Sequence, residues 1–224
     1  MRELIVNNNP KSSFAESIKT VRTNLRFSSV NKKIKTILIT SSVMGEGKSF
    51  ICANLATAFA NAKEKVLLID CDLRRGRQQK IFFKDNIENV GLSNLLIDDN
   101  WEENLESYIK NTDVKRLDII TTGAMPPNPT VLLESKKMEK ILDKIKDNYD
   151  VIIFDAPPVT GLTDALVLTR LADAVLVVAS TVKTSLDLLG DTKQALENVN
   201  ANIAGVILNG VEHQENKYYN SYYD

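Results

Sequence analysis

The sequence predicts an α/β fold in which a mostly parallel sheet carries helices on both faces. Short β-branched runs alternate with segments of helical periodicity, and this repetition requires crossover connections that make neighbouring strands parallel. Several runs are apolar almost throughout, as expected of strands covered on both faces. The candidate strands, in chain order, are KTILIT, KVLLID, RLDIIT, DVIIFD, DAVLVVAS and NIAGVILN. We therefore expect one domain over residues 1–211 and a separate tail over 212–224.

Three segments carry the apolar stripe of an amphipathic helix. Residues 12–28 form the first, ahead of the first strand, and their apolar face consists of Phe14, Ile18, Val21 and Leu25. The segment KSFICANLATAFANA follows the first strand and has the same periodicity. TVLLESKKMEKILDKIKD, which precedes DVIIFD, repeats the pattern with Leu132, Leu133, Met138, Ile141, Leu142 and Ile145. Each is predicted to be a helix that packs on the sheet.

Composition excludes several classes of protein. Lys and Arg total 28 and Asp and Glu total 29, so the net charge is −1, which argues against general nucleic-acid binding and adhesion to anionic membranes. Cys52 and Cys71 lie in apolar runs without disulfide or metal spacing, which favours a reduced, intracellular compartment. No run approaches the eighteen or so apolar residues of a membrane span. We expect any membrane association to require a partner.

A phosphate-binding loop is predicted between the first strand and the first helix of the sheet. The stretch SSVMGEGKS covers residues 41–49. Backbone N–H groups of Gly45, Glu46 and Gly47 can converge on phosphate oxygens at the helix N-terminus. Lys48 would neutralise the β- and γ-phosphates, and the Ser49 hydroxyl would ligate Mg²⁺. The first glycine of the usual pattern is replaced by Ser42, so the alternative is a glycine turn that precedes Lys-Ser by chance.

Three carboxylates follow predicted strands. Asp70 and Asp72 end VLLIDCD, and Asp155 ends VIIFD. Ligands of open α/β sheets bind at the carboxyl ends of strands, where all three should lie. Any one of them could instead cap the next turn, but the set beside Gly47, Lys48 and Ser49 favours a nucleotide site in a P-loop NTPase fold.

These motifs resemble those of the bacterial tyrosine kinases. SSVMGEGKS, LLIDCDLR and VIIFDAPP are similar to the family's Walker A, A′ and B motifs, and GAMPPNPTVLLES and ESIKTVRTNLRF resemble two of its further segments. The resemblance implies an ATP- and Mg²⁺-dependent kinase in which Asp70 is the base and Ser49, Asp72 and Asp155 surround the metal. The implied nucleotide-binding residues are Gly45, Glu46, Gly47, Lys48, Ser49, Phe50 and Asn209.

Four of the six tyrosines lie in the last seven residues, as Tyr218, Tyr219, Tyr222 and Tyr223. The resemblance implies that they accept phosphate from another copy of the chain. A phenol has a pKa near 10, so a base must take its proton during attack. The alternative is a solvated end whose aromatic residues are accidental.

The resemblance also implies assembly and partners. Glu16, Lys19 and Arg22 stand at the positions of the family's E-x-x-R-x-x-R helix, which helps to hold a ring of subunits; lysine at the middle position loses the bidentate fork. From spacing alone a surface i, i+3 pair is an equal alternative. A transmembrane adaptor, a cognate tyrosine phosphatase and a cytoplasmic location at the inner face of the membrane are implied, with control of capsule or exopolysaccharide synthesis and export.

Two other functions remain open at this point. A partition- or septum-positioning ATPase would share the fold, although such proteins carry a lysine where this chain has Val43 and lack a tyrosine cluster. A non-catalytic, nucleotide-gated scaffold would bind ATP without turnover.

Met44 and Gly76 replace prolines that are common in the kinases, which predicts looser loops. The adjoining basic residues could steer ATP or an acidic tail, or simply be solvated; they are Arg74, Arg75, Arg77 and Lys80.

Overall fold

Seven strands form a single sheet in the residues that the structure, a computed structural model, describes: 3–27, 34–83 and 88–211. In chain order they are β1 Thr36–Ser41, β2 Val66–Asp70, β3 Lys110–Asn111, β4 Leu117–Ile120, β5 Val151–Asp155, β6 Ala174–Ser180 and β7 Ile203–Asn209. Their spatial order is β3-β4-β2-β5-β1-β6-β7. Only the β3–β4 pair is antiparallel. The mostly parallel sheet is therefore confirmed.

Ten α-helices occur in the same described ranges. They are α1 Ile5–Asn8, α2 Ser13–Phe27, α3 Lys48–Asn61, α4 Gln78–Phe83, α5 Leu92–Ile97, α6 Trp101–Tyr108, α7 Pro129–Glu134, α8 Lys136–Ile145, α9 Asp164–Leu168 and α10 Leu186–Asn198. The first predicted helix, over residues 12–28, matches α2 apart from Ser12, which precedes it, and Ser28, which lies outside the described residues.

The helices cover both faces of the sheet. In β1, Ile37 and Ile39 pack into one buried cluster with α2 and α3, whereas Leu38 packs into a second cluster with α5 to α10. This alternation follows from the pleat, which sends successive side chains to opposite faces. Every residue of β1, β2 and β5 is buried, so their apolar character throughout reflects double coverage, as predicted.

Two elements differ from the sequence-based expectation. The continuous helix expected over residues 130–147 is broken at Ser135, which has extended dihedrals (φ −63°, ψ 149°) and whose hydroxyl accepts the Met138 N–H to cap α8. Strand β7 lies at the edge of the sheet and alternates in burial, leaving Val206 and Leu208 exposed. The apolar periodicity of the sequence continues through Ser135, because α7 and α8 present apolar residues to the same core.

The parallel arrangement gathers the predicted site at one edge. Because β1, β2, β5 and β6 run in the same direction, their carboxyl ends meet there. Ser41, Asp70 and Asp155 are the last residues of β1, β2 and β5.

Candidate active site

The segment between β1 and α3 has the backbone geometry of a phosphate-binding loop. Gly45 and Gly47 have φ values of +80° and +90°, in the left-handed region that favours glycine. A Cβ atom on Gly47 would lie 2.2 Å from the Asn209 Nδ2 atom. Helix α3 begins at Lys48, immediately after this glycine. Its free N–H groups and positive dipole end therefore face the loop, where an anion is favoured.

The Glu46 side chain stabilises the phosphate loop through hydrogen bonds on the side away from the cavity. Its carboxylate accepts the Val43 N–H at 2.8 Å and also the Thr184 hydroxyl, from the segment between β6 and α10. The side chain is 1% exposed, so it does not face the cavity. The Asn209 carboxamide donates to the Glu46 carbonyl oxygen at 2.8 Å. Asn209, the residue expected to read adenine, thus contacts the backbone of the phosphate loop.

The three predicted carboxylates converge around Lys48. Asp70 and Asp155 are paired across β2 and β5, and both side chains are buried. The Lys48 Nζ atom lies 3.0 Å from Asp72 Oδ2 and 3.6 Å from Asp155 Oδ1. Burial alone disfavours the ammonium, but Asp155 and Asp72 outweigh it and raise the pKa of Lys48 above its ordinary value. Lys48 therefore remains charged and occupies the cation position of the cluster.

Asp70 differs electrostatically from its neighbours. Its Oδ2 atom accepts the Gln78 N–H at 2.9 Å, and its Oδ1 atom accepts the Asp72 N–H at 3.3 Å. Burial, and then the charge of Asp155, raise the pKa of Asp70 well above its usual range. A carboxylate with a raised pKa accepts a proton more readily than an ordinary aspartate, which is the property that a general base requires.

The cavity beside Lys48 has a volume of about 200 Å³. Its lining consists of Met44, Gly45, Gly47, Lys48, Ser49, Phe50, Asp72, Arg75, Arg77 and Pro158. Of the three carboxylates, only Asp72 reaches this lining. The Phe50 ring packs against Phe14 of α2, with ring centroids 5.0 Å apart. Helix α2 thereby supports one wall of the cavity.

The arginines that follow β2 lie in two different places. Arg74 turns away from the cavity and pairs with the buried Asp164, at 2.7 Å between Nε and Oδ2. Arg75 and Arg77 line the cavity, and Arg77 also pairs with the exposed Glu3 at 3.4 Å. Gly76 lies close to Thr122, because a Cβ atom at this position would lie 2.1 Å from the Thr122 Cγ2 atom.

Sequence reasoning missed Gln78, the first residue of α4. This side chain is fully buried, and its Nε2 atom donates to Asp155 Oδ2 at 2.7 Å and to the Ser49 carbonyl at 3.0 Å. A glutamine at the start of a short helix after a basic run is typical of solvated surface. No local signal could have placed it among the motifs, because its partners lie on α3 and β5.

The residues present fit a magnesium nucleotide. The loop and Lys48 offer donors for phosphates, while Ser49, Asp72 and Asp155 offer the oxygen ligands that Mg²⁺ prefers. Asp155 Oδ1 is buried and accepts no hydrogen bond within the described part of the chain. No set of three or more His, Cys, Asp or Glu side chains among the described residues is arranged to hold a metal. Mg²⁺ commonly completes its shell with phosphate and water oxygens, so this arrangement suits it.

The predicted interface residues make contacts within the chain. Lys19 pairs with Glu16 at 2.7 Å and donates to the Pro10 carbonyl at 2.7 Å. Arg22 donates from Nη1 to the Ala58 carbonyl, near the end of α3, at 3.2 Å. The i, i+3 pair considered from the spacing is therefore present.

The tyrosine cluster at 218–223 lies outside the described residues. The last described residue, Val211, follows the carboxyl end of β7, at the same edge of the sheet as the phosphate loop. The two tyrosines of the folded body are engaged. Tyr108 donates to Asp98 and Tyr149 donates to Asp118, each at 3.0 Å.

Among the described residues, no helix is both long and apolar enough to cross a membrane.

Comparison with known proteins gives consistent results. A family model described as an AAA domain matches residues 34–207. The chain is 39% identical over 221 residues to tyrosine-protein kinase YwqD of Bacillus subtilis (strain 168), covering 97% of this chain and 91% of that protein. It is 36% identical over 220 residues to the putative tyrosine-protein kinase CapB of Staphylococcus aureus, covering 98% and 94%. With tyrosine-protein kinase etk of Escherichia coli (strain K12), identity is 35% over 203 residues, covering 91% of this chain and 27% of that protein.

Solved structures show the same relationship. The crystal structure of the chimerical protein CapA2B2 superposes with a TM-score of 0.89 at 35% identity, covering 95% of this chain and 92% of that chain. The septum site-determining protein MinD from Pyrococcus horikoshii OT3, complexed with Mg-ADP, superposes with a TM-score of 0.63 at 24% identity, covering 78% and 69%. The second likeness shows the fold alone.

Proposed function

Because this chain belongs to the bacterial tyrosine kinases, we propose that it transfers the γ-phosphate of ATP to Tyr218, Tyr219, Tyr222 and Tyr223 of another copy of itself. The observation that carries the proposal is the single cavity in which Lys48, Ser49 and Asp72 meet at the start of α3. A phosphate loop, a cation and a carboxylate at one helix N-terminus are the parts that phosphoryl transfer requires.

The phosphate loop would hold the nucleotide. Backbone N–H groups of Gly45, Glu46 and Gly47 would donate to phosphate oxygens, with Phe50 beside them and Asn209 at the adenine. Lys48 would leave Asp72 and Asp155, between which it now lies, and bind the β- and γ-phosphates. Mg²⁺ held by Ser49, Asp72 and Asp155 would neutralise charge on the phosphates.

Two carboxylates, Asp70 and Asp72, would take part in removing the proton from the phenol. We assign the base to Asp70, because burial and Asp155 raise its pKa. Asp72 lines the cavity and would connect Asp70 with the site of transfer. In the structure the Asp72 carboxylate lies 3.0 Å from the Lys48 ammonium, which places it beside the phosphate-binding residues.

The tail supplies the best acceptors. The hydroxyl groups of Tyr108 and Tyr149 donate to carboxylates in the folded body. Burial first, and then these carboxylates, raise the pKa of both phenols, which disfavours their deprotonation. Tyr218 is only seven residues beyond Val211, which follows β7 at the edge of the sheet that carries the cavity.

Assembly would bring a tail to a neighbour's cavity. We propose that α2 forms part of a ring interface through Glu16, Lys19 and Arg22, which would exchange some of their present contacts for contacts with another copy. Phosphorylation of four tyrosines adds about −6 to −8 charges per tail at neutral pH. Repulsion would then open the ring. Light scattering before and after phosphorylation tests this, and an unchanged mass would contradict it.

The proposed biological role rests on the family to which the chain belongs. We propose that the kinase acts together with a transmembrane adaptor. The kinase would then act in the cytoplasm at the inner face of the membrane, with a cognate tyrosine phosphatase as its antagonist. Control of capsule or exopolysaccharide synthesis and export is the role we infer.

Phosphotyrosine formation tests the function directly. Purified protein is incubated with Mg-ATP beside Lys48→Met and beside a chain that ends before Lys217, and phosphopeptides are mapped. We expect phosphate on residues 218–223 of the full chain and on neither variant. The reaction is repeated with a cytoplasmic fragment of a candidate adaptor. ATP hydrolysis without phosphotyrosine in both cases would favour an ATPase of the septum-positioning type, and ATP binding without turnover would favour the scaffold.

A further inference from the structure

Gln78 connects the three motifs of the site. Its carboxamide Nε2 donates to Asp155 Oδ2 at 2.7 Å and to the Ser49 carbonyl at 3.0 Å. Its backbone N–H donates to Asp70 Oδ2 at 2.9 Å. One residue therefore contacts the end of β2, the start of α3 and the end of β5, and its side chain is 0% exposed.

The orientation of the carboxamide is fixed by chemistry. Both atoms near Nε2 are acceptors, a carboxylate oxygen and a carbonyl oxygen. Turning the amide over would place Oε1 against both of them, so the nitrogen must stay where it is. The Gln78 Oε1 atom is consequently buried and accepts no hydrogen bond from any described residue.

This residue is an expensive choice for the fold alone. The buried Oε1 atom without a donor costs free energy, which offsets part of what the two hydrogen bonds from Nε2 contribute. The neighbouring Asp155 shows what the arrangement achieves. Its Oδ2 atom is held by Gln78, while its Oδ1 atom accepts no hydrogen bond and lies 3.6 Å from the Lys48 ammonium.

We propose that Gln78 is a positioning residue that fixes the rotation of the Asp155 carboxylate and reserves its Oδ1 atom for the cation of the reaction. The inference rests on the proposed function, since the cation is the metal that accompanies the nucleotide. Without the carboxamide, Asp155 can turn and hold Lys48 with both oxygens. Lys48 would then be less available to phosphate, and Oδ1 less available to the metal.

The test replaces the carboxamide and keeps the volume. Gln78→Met retains the length and the backbone N–H that Asp70 accepts. Gln194→Met is the matched control, because Gln194 is an exposed glutamine of α10 that bonds only to Asn198 among the contacts described. Mn²⁺ binding in the presence of ADP is followed by electron paramagnetic resonance, and unfolding by urea is measured on the same samples.

We expect Gln78→Met to weaken Mn²⁺ binding about tenfold to a hundredfold, the usual effect of losing a partner that orients a metal ligand. Gln78→Met removes the unsatisfied Oε1 atom but leaves Asp155 Oδ2 and the Ser49 carbonyl without their donor, so its urea midpoint should fall slightly while the protein stays folded. Gln194→Met should change neither quantity. In a second comparison without metal, Gln78→Met should weaken ADP binding in the wild-type background but not beside Asp155→Asn. That pattern separates action through Asp155 from general damage.

Unchanged Mn²⁺ affinity in Gln78→Met would overturn the inference while leaving the kinase proposal intact. A wild-type protein that fails to bind Mn-ADP would instead refute the proposed nucleotide site, and the inference with it. If Gln78→Met does not fold, the comparison is made with Gln78→Asn, whose shorter amide cannot reach Asp155 Oδ2. Unfolding of both variants would show that Gln78 serves the fold, and would also overturn the inference.

Discussion

Replacement of Asp70 by asparagine should stabilise the protein relative to the wild type as the pH rises, and should lower its phosphotransfer activity. Three carboxylates, Asp70, Asp72 and Asp155, share one ammonium from Lys48 in the resting site. Burial and Asp155 raise the pKa of Asp70, so the folded state keeps this proton to a higher pH than the unfolded chain, whose aspartates have a pKa of about 3.9. Between these two pKa values the folded state binds more protons, and the free energy of unfolding falls as the pH rises.

The magnitude follows from proton linkage. Between these two pKa values, Asp70 lowers the free energy of unfolding by up to about 1.4 kcal/mol for each pH unit. This dependence is absent in Asp70→Asn. The carboxamide can still accept the Gln78 N–H, but it loses the longer contact with the Asp72 N–H at 3.3 Å. That loss costs about 1 kcal/mol at every pH. Asp70→Asn should therefore be slightly less stable near pH 4 and gain on the wild type as the pH rises.

Urea unfolding followed by circular dichroism, from pH 4.5 to 8.5, measures this difference. Asp98→Asn provides a control without a trend. Hydrogen bonds from Asn104 and the Asn100 N–H lower the pKa of Asp98, so its contribution to stability changes only below about pH 4, and the difference between that variant and the wild type should stay nearly constant across this range. Phosphotransfer by Asp70→Asn should fall by about 10² or more. A stability difference for Asp70→Asn that is flat, or that falls with pH, would refute the electrostatic reasoning.

Three further substitutions test the phosphate loop and the basic residues that follow β2. Gly47→Ala should weaken nucleotide binding at least about tenfold, measured by calorimetry, because φ is +90° and the new Cβ atom would lie 2.2 Å from Asn209 Nδ2; affinity equal to that of the wild type would contradict the loop geometry. Arg74→Met should lower the free energy of unfolding by about 3 kcal/mol, since it leaves the buried Asp164 without its cation. Arg77→Met, which removes an exposed pair with Glu3, should cost about 0–1 kcal/mol, and equal losses in the two arginine variants would contradict the assignment.

The parts of the site that the sequence predicted depend on short stretches of chain. An apolar run, a glycine-rich loop and the helix after it are contiguous, so the loop at 41–49 could be located without knowing the fold. Asp70 and Asp155 could be placed at strand ends for the same reason. That they face each other directly depends on β2 and β5 being neighbours. Local patterns do not contain strand order, so this pairing and the raised pKa of Asp70 required the structure.

Side-chain partners that are distant along the chain could not be predicted. The Glu46 carboxylate bonds to Thr184, and Gln78 bonds to Asp155; each pair is joined only by the packing of separate elements. The break in the helix at Ser135 could not be predicted for a different reason. Periodicity describes which face is apolar, and it continues through a capping residue that interrupts the helical backbone.

Phosphate transfer between two complementary chains tests the central claim most directly. One chain carries Lys48→Met with its tyrosine cluster intact, and the other has an intact site but ends before Lys217. The two are mixed with Mg-ATP, together with the adaptor fragment if the wild type requires it, and phosphopeptides are mapped by mass spectrometry. We predict phosphate on Tyr218, Tyr219, Tyr222 or Tyr223 of the Lys48→Met chain, and none when that chain is incubated alone. A mixture without tail phosphate, under conditions in which the wild type phosphorylates itself, would contradict transfer from the P-loop site of one copy to the tail of another.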